Sequence, residues 1–113
     1  MPSLVPSIDD RCIYFVLCDF GRFGRAYVET DPDQADRDTI IQNLISGQYD
    51  KPIRVLAVNV TANSVVDASE EVASVIHSRT SLSQLTPDVR GFVCFHLGIM
   101  FADEHVRAAD YVL

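Results

Sequence analysis

With 113 residues, the chain has the length of one ordinary domain, and its 48% hydrophobic content is enough to bury a single core. A formal charge of −7 opposes non-specific nucleic-acid binding, which needs a basic stripe, and it disfavours an anionic membrane surface. Neither nucleic acid nor membrane is therefore expected as a partner.

The first ten residues, rich in Pro, Ser and Asp, read as a flexible tail without the basic and apolar regions of a targeting segment. A single α+β domain is predicted over residues 11–113. From Cys12 to Cys18 the chain reads as a strand that is apolar on both faces. Ile13, Phe15 and Leu17 point one way, and Cys12, Tyr14, Val16 and Cys18 point the other. That pattern fits a central strand covered at least partly on each side, and the run is far shorter than the ~20 residues that span a bilayer. A second strand is expected over Arg25–Thr30, with Ala26 and Val28 inward, and the short glycine-containing link before it signals a hairpin.

Asp31-Pro32-Asp33-Gln34 carries helix-start chemistry, as does Asp36 ahead of the stripe Ile40, Ile41, Leu44 and Ile45, with Gly47 placed to stop the helix. A third strand is expected over Ile53–Val60, followed by a polar link from Thr61 to Asp67. Ser69-Glu70-Glu71 opens a second helix with Val72, Val75 and Ile76 inward, its acids favoured by the helix dipole. Thr86-Pro87-Asp88 opens a third, running through Val89, Phe92, Val93 and His96. From about Ala102 the pattern of Phe101, Ala108 and Val112 is again helical. The order β-β-α-β-α-α predicts a small three-stranded antiparallel sheet, order 2-1-3, with helices packed on one face. Such a sheet leaves two edges and one apolar face to be covered, which points to a homodimer.

The stretch CDFGRFGRA at Cys18–Ala26 holds the candidate ligand-binding residues Asp19, Gly21, Arg22, Gly24 and Arg25. A kinase Asp-Phe-Gly needs a glycine loop, a strand lysine and a catalytic loop for which this chain has no room. The dinucleotide fingerprint lacks its first glycine pair, and no Gly-Lys-Ser/Thr occurs. What is left is a Gly-x-x-Gly turn between two arginines. It serves either as a hairpin tip with solvated arginines or as an anion nest with guanidinium forks. The acids Glu29, Asp31, Asp33, Asp36 and Asp38 lack the central glycine of a calcium loop, and Gln42 stands where its closing Glu would fall. No metal or cofactor is expected.

Cys94 and His96 lie two apart on a helix and so point to different sides, while His77 and His105 are isolated. No catalytic residue is assigned. Cys12 and Cys18 are separated by roughly 20 Å in one strand, beyond the under ~7 Å of a disulfide. Reduced thiols in a cytoplasmic protein follow. The Asn59-Val60-Thr61 sequon is discounted because it falls in a predicted buried strand.

The string Asp19-Phe20-Gly21, then Gly24-Arg25-Ala26-Tyr27-Val28-Glu29-Thr30-Asp31, with LISGQYDKP and IRVLAVN after it, resembles a family of short bacterial proteins of unknown function. The resemblance runs from Phe15 to Ala57 and continues more weakly through Asp67–Ala73. Members carry Gly-Trp-Ser after the third strand, whereas this chain has Asn63-Ser64-Val65 and no tryptophan. The resemblance implies the domain's boundaries and a cytoplasmic setting, and it brings no catalytic residue. The leading expectation is a non-enzymatic binding or interaction module that self-associates. The competing expectation is a small-anion or nucleotide binder, with or without catalysis, using the Gly21–Gly24 turn with Arg22 and Arg25.

Overall fold

A computed structural model describes residues 12–28, 35–101 and 108–111. The tail at 1–10, the Asp31–Gln34 helix start and most of the region expected to be helical after Ala102 lie outside the described residues. Strand β1 (Ile13–Asp19) turns through a 3-10 segment at Gly21–Phe23 into β2 (Arg25–Tyr27). Helix α1 (Arg37–Ile45), strands β3 (Pro52–Asn59) and β4 (Ser64–Asp67), and helices α2 (Ser69–Arg79) and α3 (Pro87–Leu97) follow, then a 3-10 turn at Ala108–Tyr111.

The fold is α+β, with an antiparallel sheet and three α-helices among the described residues. The sheet has four strands in the order β2-β1-β3-β4, which corrects the expected three. The predicted 2-1-3 neighbours stand. The polar link after β3 is itself a hairpin: Asn63 adopts φ 57°, Asn59 Oδ1 accepts from Ala62 N at 2.9 Å, and Ser64–Asp67 returns along β3. Ala26 is also corrected. It is exposed, as is every residue of β2, while Val28 packs against the core.

The helix boundaries follow capping chemistry. Asp36 accepts from Thr39 N, Thr86 accepts from Val89 N ahead of Pro87, and Gly98 closes α3 in the left-handed region. Gly47, at φ +78°, follows α1 where the chain must reverse, and a Cβ there would fall 2.7 Å from Thr86 Cγ2. On one sheet face Val16 and Val55 sit side by side and pack with Ile40, Leu44, Val72, Ile76 and Phe92 in a single core. At the start of β3 a bulge leaves Ile53 without a partner on β1. Pro52 has no N–H to give the ladder, which accounts for the irregularity there.

Ser69 binds the core's polar backbone. It is 1% exposed, and its hydroxyl accepts from Val55 N at 2.8 Å and donates to Val55 O at 3.4 Å, replacing a ladder partner where β4 has ended. Ser69→Ala leaves that buried N–H unsatisfied and is expected to cost about 1–3 kcal/mol. A lowered urea midpoint at unchanged m would show it, and an unchanged midpoint would refute it.

Candidate functional site

The candidate binding residues fall on the β1–β2 hairpin tip, where the backbone reverses between Asp19 and Arg25. Phe20 N donates to Gly24 O at 2.8 Å and Gly24 N to Gly21 O at 2.9 Å. Both glycines have positive φ, 67° for Gly21 and 88° for Gly24, which side chains disfavour. The turn's own chemistry is already partnered. Asp19 Oδ1 accepts from Gly21 N at 2.9 Å, and Asp19 Oδ2 lies 3.8 Å from Arg25 Nε. Arg22 sits over the exposed Phe23 ring, 5.1 Å from its centroid. An added anion would compete with the Asp19 carboxylate for both the amide and the guanidinium. The tip therefore brings Asp19, Gly21 and Arg25 together and turns Arg22 away onto Phe23.

Of the acidic run, Glu29, Asp31 and Asp33 lie outside the described residues. Asp36 caps α1, and the Thr39 hydroxyl and N–H hold its carboxyl below the usual range. Asp38 pairs with Arg79 at 3.0 Å. No cluster of metal-ligating side chains occurs among the described residues. Cys18 is fully buried, and burial, reinforced by Asp50, pushes its thiol up to about 12, so the nucleophilic thiolate is scarce at neutral pH.

Cys94 is buried. His96 is half-buried between Phe92, Phe95 and Tyr111, with Nε2 2.8 Å from Ile53 O, the carbonyl of the bulge residue. Burial lowers its pKa from 6.5, opposed by the Ile53 carbonyl. The folded state thus favours neutral imidazole. Stability from this residue is complete above the unfolded value of 6.5 and is lost as the pH falls through the lower folded value. The melting temperature is expected to drop between about pH 7 and pH 5, and His96→Gln should flatten that slope. An equal slope in the variant would refute the assignment.

Two features are more specific than the sequence reading. The first is the makeup of the apolar sheet face turned away from the helical core, a face expected from the sequence to need covering. Register and alternation place Ile13, Phe15, Leu56, Val58, Val65 and Tyr27 together there. Val65 is 63% exposed and Tyr27 43%. The charged groups on the same face are paired, Arg54 with Asp67 and Arg25 with Asp19. Burial opposes the Asp67 charge, but the Ser69 N–H and hydroxyl and Arg54 outweigh it and lower the pKa. A Val-Val pair just after an asparagine turn was the available signal for this strand.

The second feature is where Ala108–Tyr111 docks. Lys51 Nζ pairs with Asp110 Oδ2 at 3.2 Å, Arg25 Nη2 donates to Asp110 O at 3.2 Å, and Arg54 Nη2 donates to Tyr111 O at 2.6 Å. Tyr111 stacks on Phe95 with centroids 4.8 Å apart. Arg25, Lys51 and Asp110 are far apart in the sequence, and only the tertiary fold assembles them. Among the described residues no helix is long and apolar enough to cross a membrane. Comparison with family models, curated proteins and solved structures finds no match to this chain.

Proposed function

We propose that this protein is a non-enzymatic interaction module that self-associates through the sheet face turned away from its helices. The reading rests on one observation: six apolar side chains from all four strands lie side by side there, with Val65 and Tyr27 exposed. A second copy suits that face because each contributes the same apolar rows, and the Arg54–Asp67 pair leaves no net charge at the contact. The free thiols of Cys12, Cys18 and Cys94 suit a cytoplasmic setting.

Magnitude sets the kind of association. Strands of 7, 3, 8 and 4 residues, about 4.8 Å apart and rising about 3.3 Å per residue, give a footprint of roughly 350 Å². A stable complex uses about 800 Å² per partner. The dimer is therefore weak and concentration-dependent, and the charge of −7 on each copy makes it stronger at higher salt. Light scattering over rising concentration should show mass moving from monomer towards dimer. A strict monomer at high concentration would overturn the reading. An anion site at Gly21–Gly24 is the weaker alternative, because Asp19 already occupies the amide and guanidinium it would use.

A further inference from the structure

The Ala108–Tyr111 turn is held in the manner of a bound peptide. Three of the chain's nine lysines and arginines converge on two consecutive residues of a protein whose net charge is −7. Lys51 takes the Asp110 carboxylate, while Arg25 and Arg54 take the backbone carbonyls of Asp110 and Tyr111. Carbonyl recognition fixes a backbone path, the aromatic stack fixes a side chain, and the lysine demands an acid before it. Tyr111 is 5% exposed and runs over α3 at Gly91, where a Cβ would fall 2.5 Å from its hydroxyl. A glycine inside a helix costs about 1 kcal/mol relative to alanine, so its presence under the ring has a steric reason.

Two further details mark the cradle as built. Lys51 is held at φ +34°, a conformation costly for a side-chain-bearing residue. Three contacts fix it there: Asp19 N donates to its carbonyl at 3.1 Å, its N–H donates to Asp88 Oδ2 at 3.3 Å, and its ammonium reaches Asp110. Arg54 uses Nη1 on Asp67 and Nη2 on Tyr111, while its Nε is buried without an acceptor among the described residues. The internal turn thus leaves a donor of the cradle unmet.

We propose that the cradle of Lys51, Arg25, Arg54, Phe95 and Gly91 is a recognition site for an acidic–aromatic peptide segment of a partner protein, and that the chain's own Asp110-Tyr111 turn is its internal competitor. Arg25 and Arg54 belong by register to the outer sheet face, so the cradle borders it; the test is therefore made on monomeric chains, where its outcome does not depend on self-association. An incoming Asp-Tyr segment would displace the turn and repeat its contacts. The internal turn competes at an effective concentration on the order of millimolar, so the site is closed to weak ligands and opens to a longer or better-fitting one.

The test uses a fluorescein-labelled peptide, Ala-Ala-Asp-Tyr-Val-Leu, with full-length chains at concentrations where they are monomeric. Tyr111→Ala empties the ring's position and leaves the cradle intact. Fluorescence anisotropy should show the probe binding this variant at least tenfold more tightly than the unaltered chain, and the probe should raise its melting temperature. Probes with Asp→Lys or Tyr→Ala should lose at least tenfold, and adding Gly91→Ala to the variant should abolish binding. Where Tyr111→Ala does not fold, Asp110→Lys carries the same test, since it sets a cation against Lys51 and loosens the turn while keeping the tyrosine. Absence of probe binding to the folded variants, or equal binding of the altered probes, would overturn the proposal.

Discussion

Phe92→Ala is expected to lower the unfolding free energy by about 3–5 kcal/mol, the range for truncating a large buried ring. Phe92 is fully buried and shares one core with Val16 and Val55 of the sheet and with Ile40 and Ile76 of the helices. It also meets the His96 ring edge-on at 4.6 Å, an aromatic contact that contributes beyond area. Domains of this size are stable by about 5–15 kcal/mol, so the loss is a large share of the total. Phe92→Leu keeps most of the volume and should cost clearly less. Urea unfolding separates the two, and equal small losses would mean that Phe92 is not central to the core.

The second large effect concerns association. Val65→Asp should leave the monomer's melting temperature nearly unchanged, because the side chain is 63% exposed. Its expected effect on the proposed dimer is different in kind. Val65 pairs with Val58, which pairs in turn with Ile13, so an aspartate there puts a carboxylate into an apolar row. Burying an unpaired charge costs several kcal/mol, which weakens dimerisation at least about a hundredfold. Light scattering would show the variant monomeric where the unaltered chain associates. A variant that dimerises equally well would remove this face from the account.

Periodicity and capping carried much of the fold. The two-faced run at Cys12–Cys18, the glycines at 21 and 24, and the Thr86-Pro87 start all describe local geometry, and each lies where the sequence placed it. Strand β4 was lost because Ser64–Asp67 is short and flanked by polar residues, and its pairing with β3 is not a property of the segment alone. Ala26 was assigned inward by alternation, which does not reveal that β2 lies at an uncovered edge. The hairpin tip was found, but not Asp19 turning back to fill it. The Lys51–Asp110 and Arg54–Tyr111 contacts join residues more than fifty positions apart, beyond the reach of any local pattern. Nothing in the helical pattern around Gly91 marks it, and the reason for its missing side chain is the Tyr111 hydroxyl above it.

The proposed contact between copies is open to direct observation. An isotope-filtered NOE spectrum of a mixed labelled and unlabelled sample, taken at a concentration where dimer is populated, reports only proximities between copies. Cross-peaks are expected to link the methyls of Ile13, Leu56, Val58 and Val65 to one another and to the Phe15 ring. Cross-peaks arising instead from the exposed sides of α2 or α3, with the sheet methyls silent, would contradict the proposed contact.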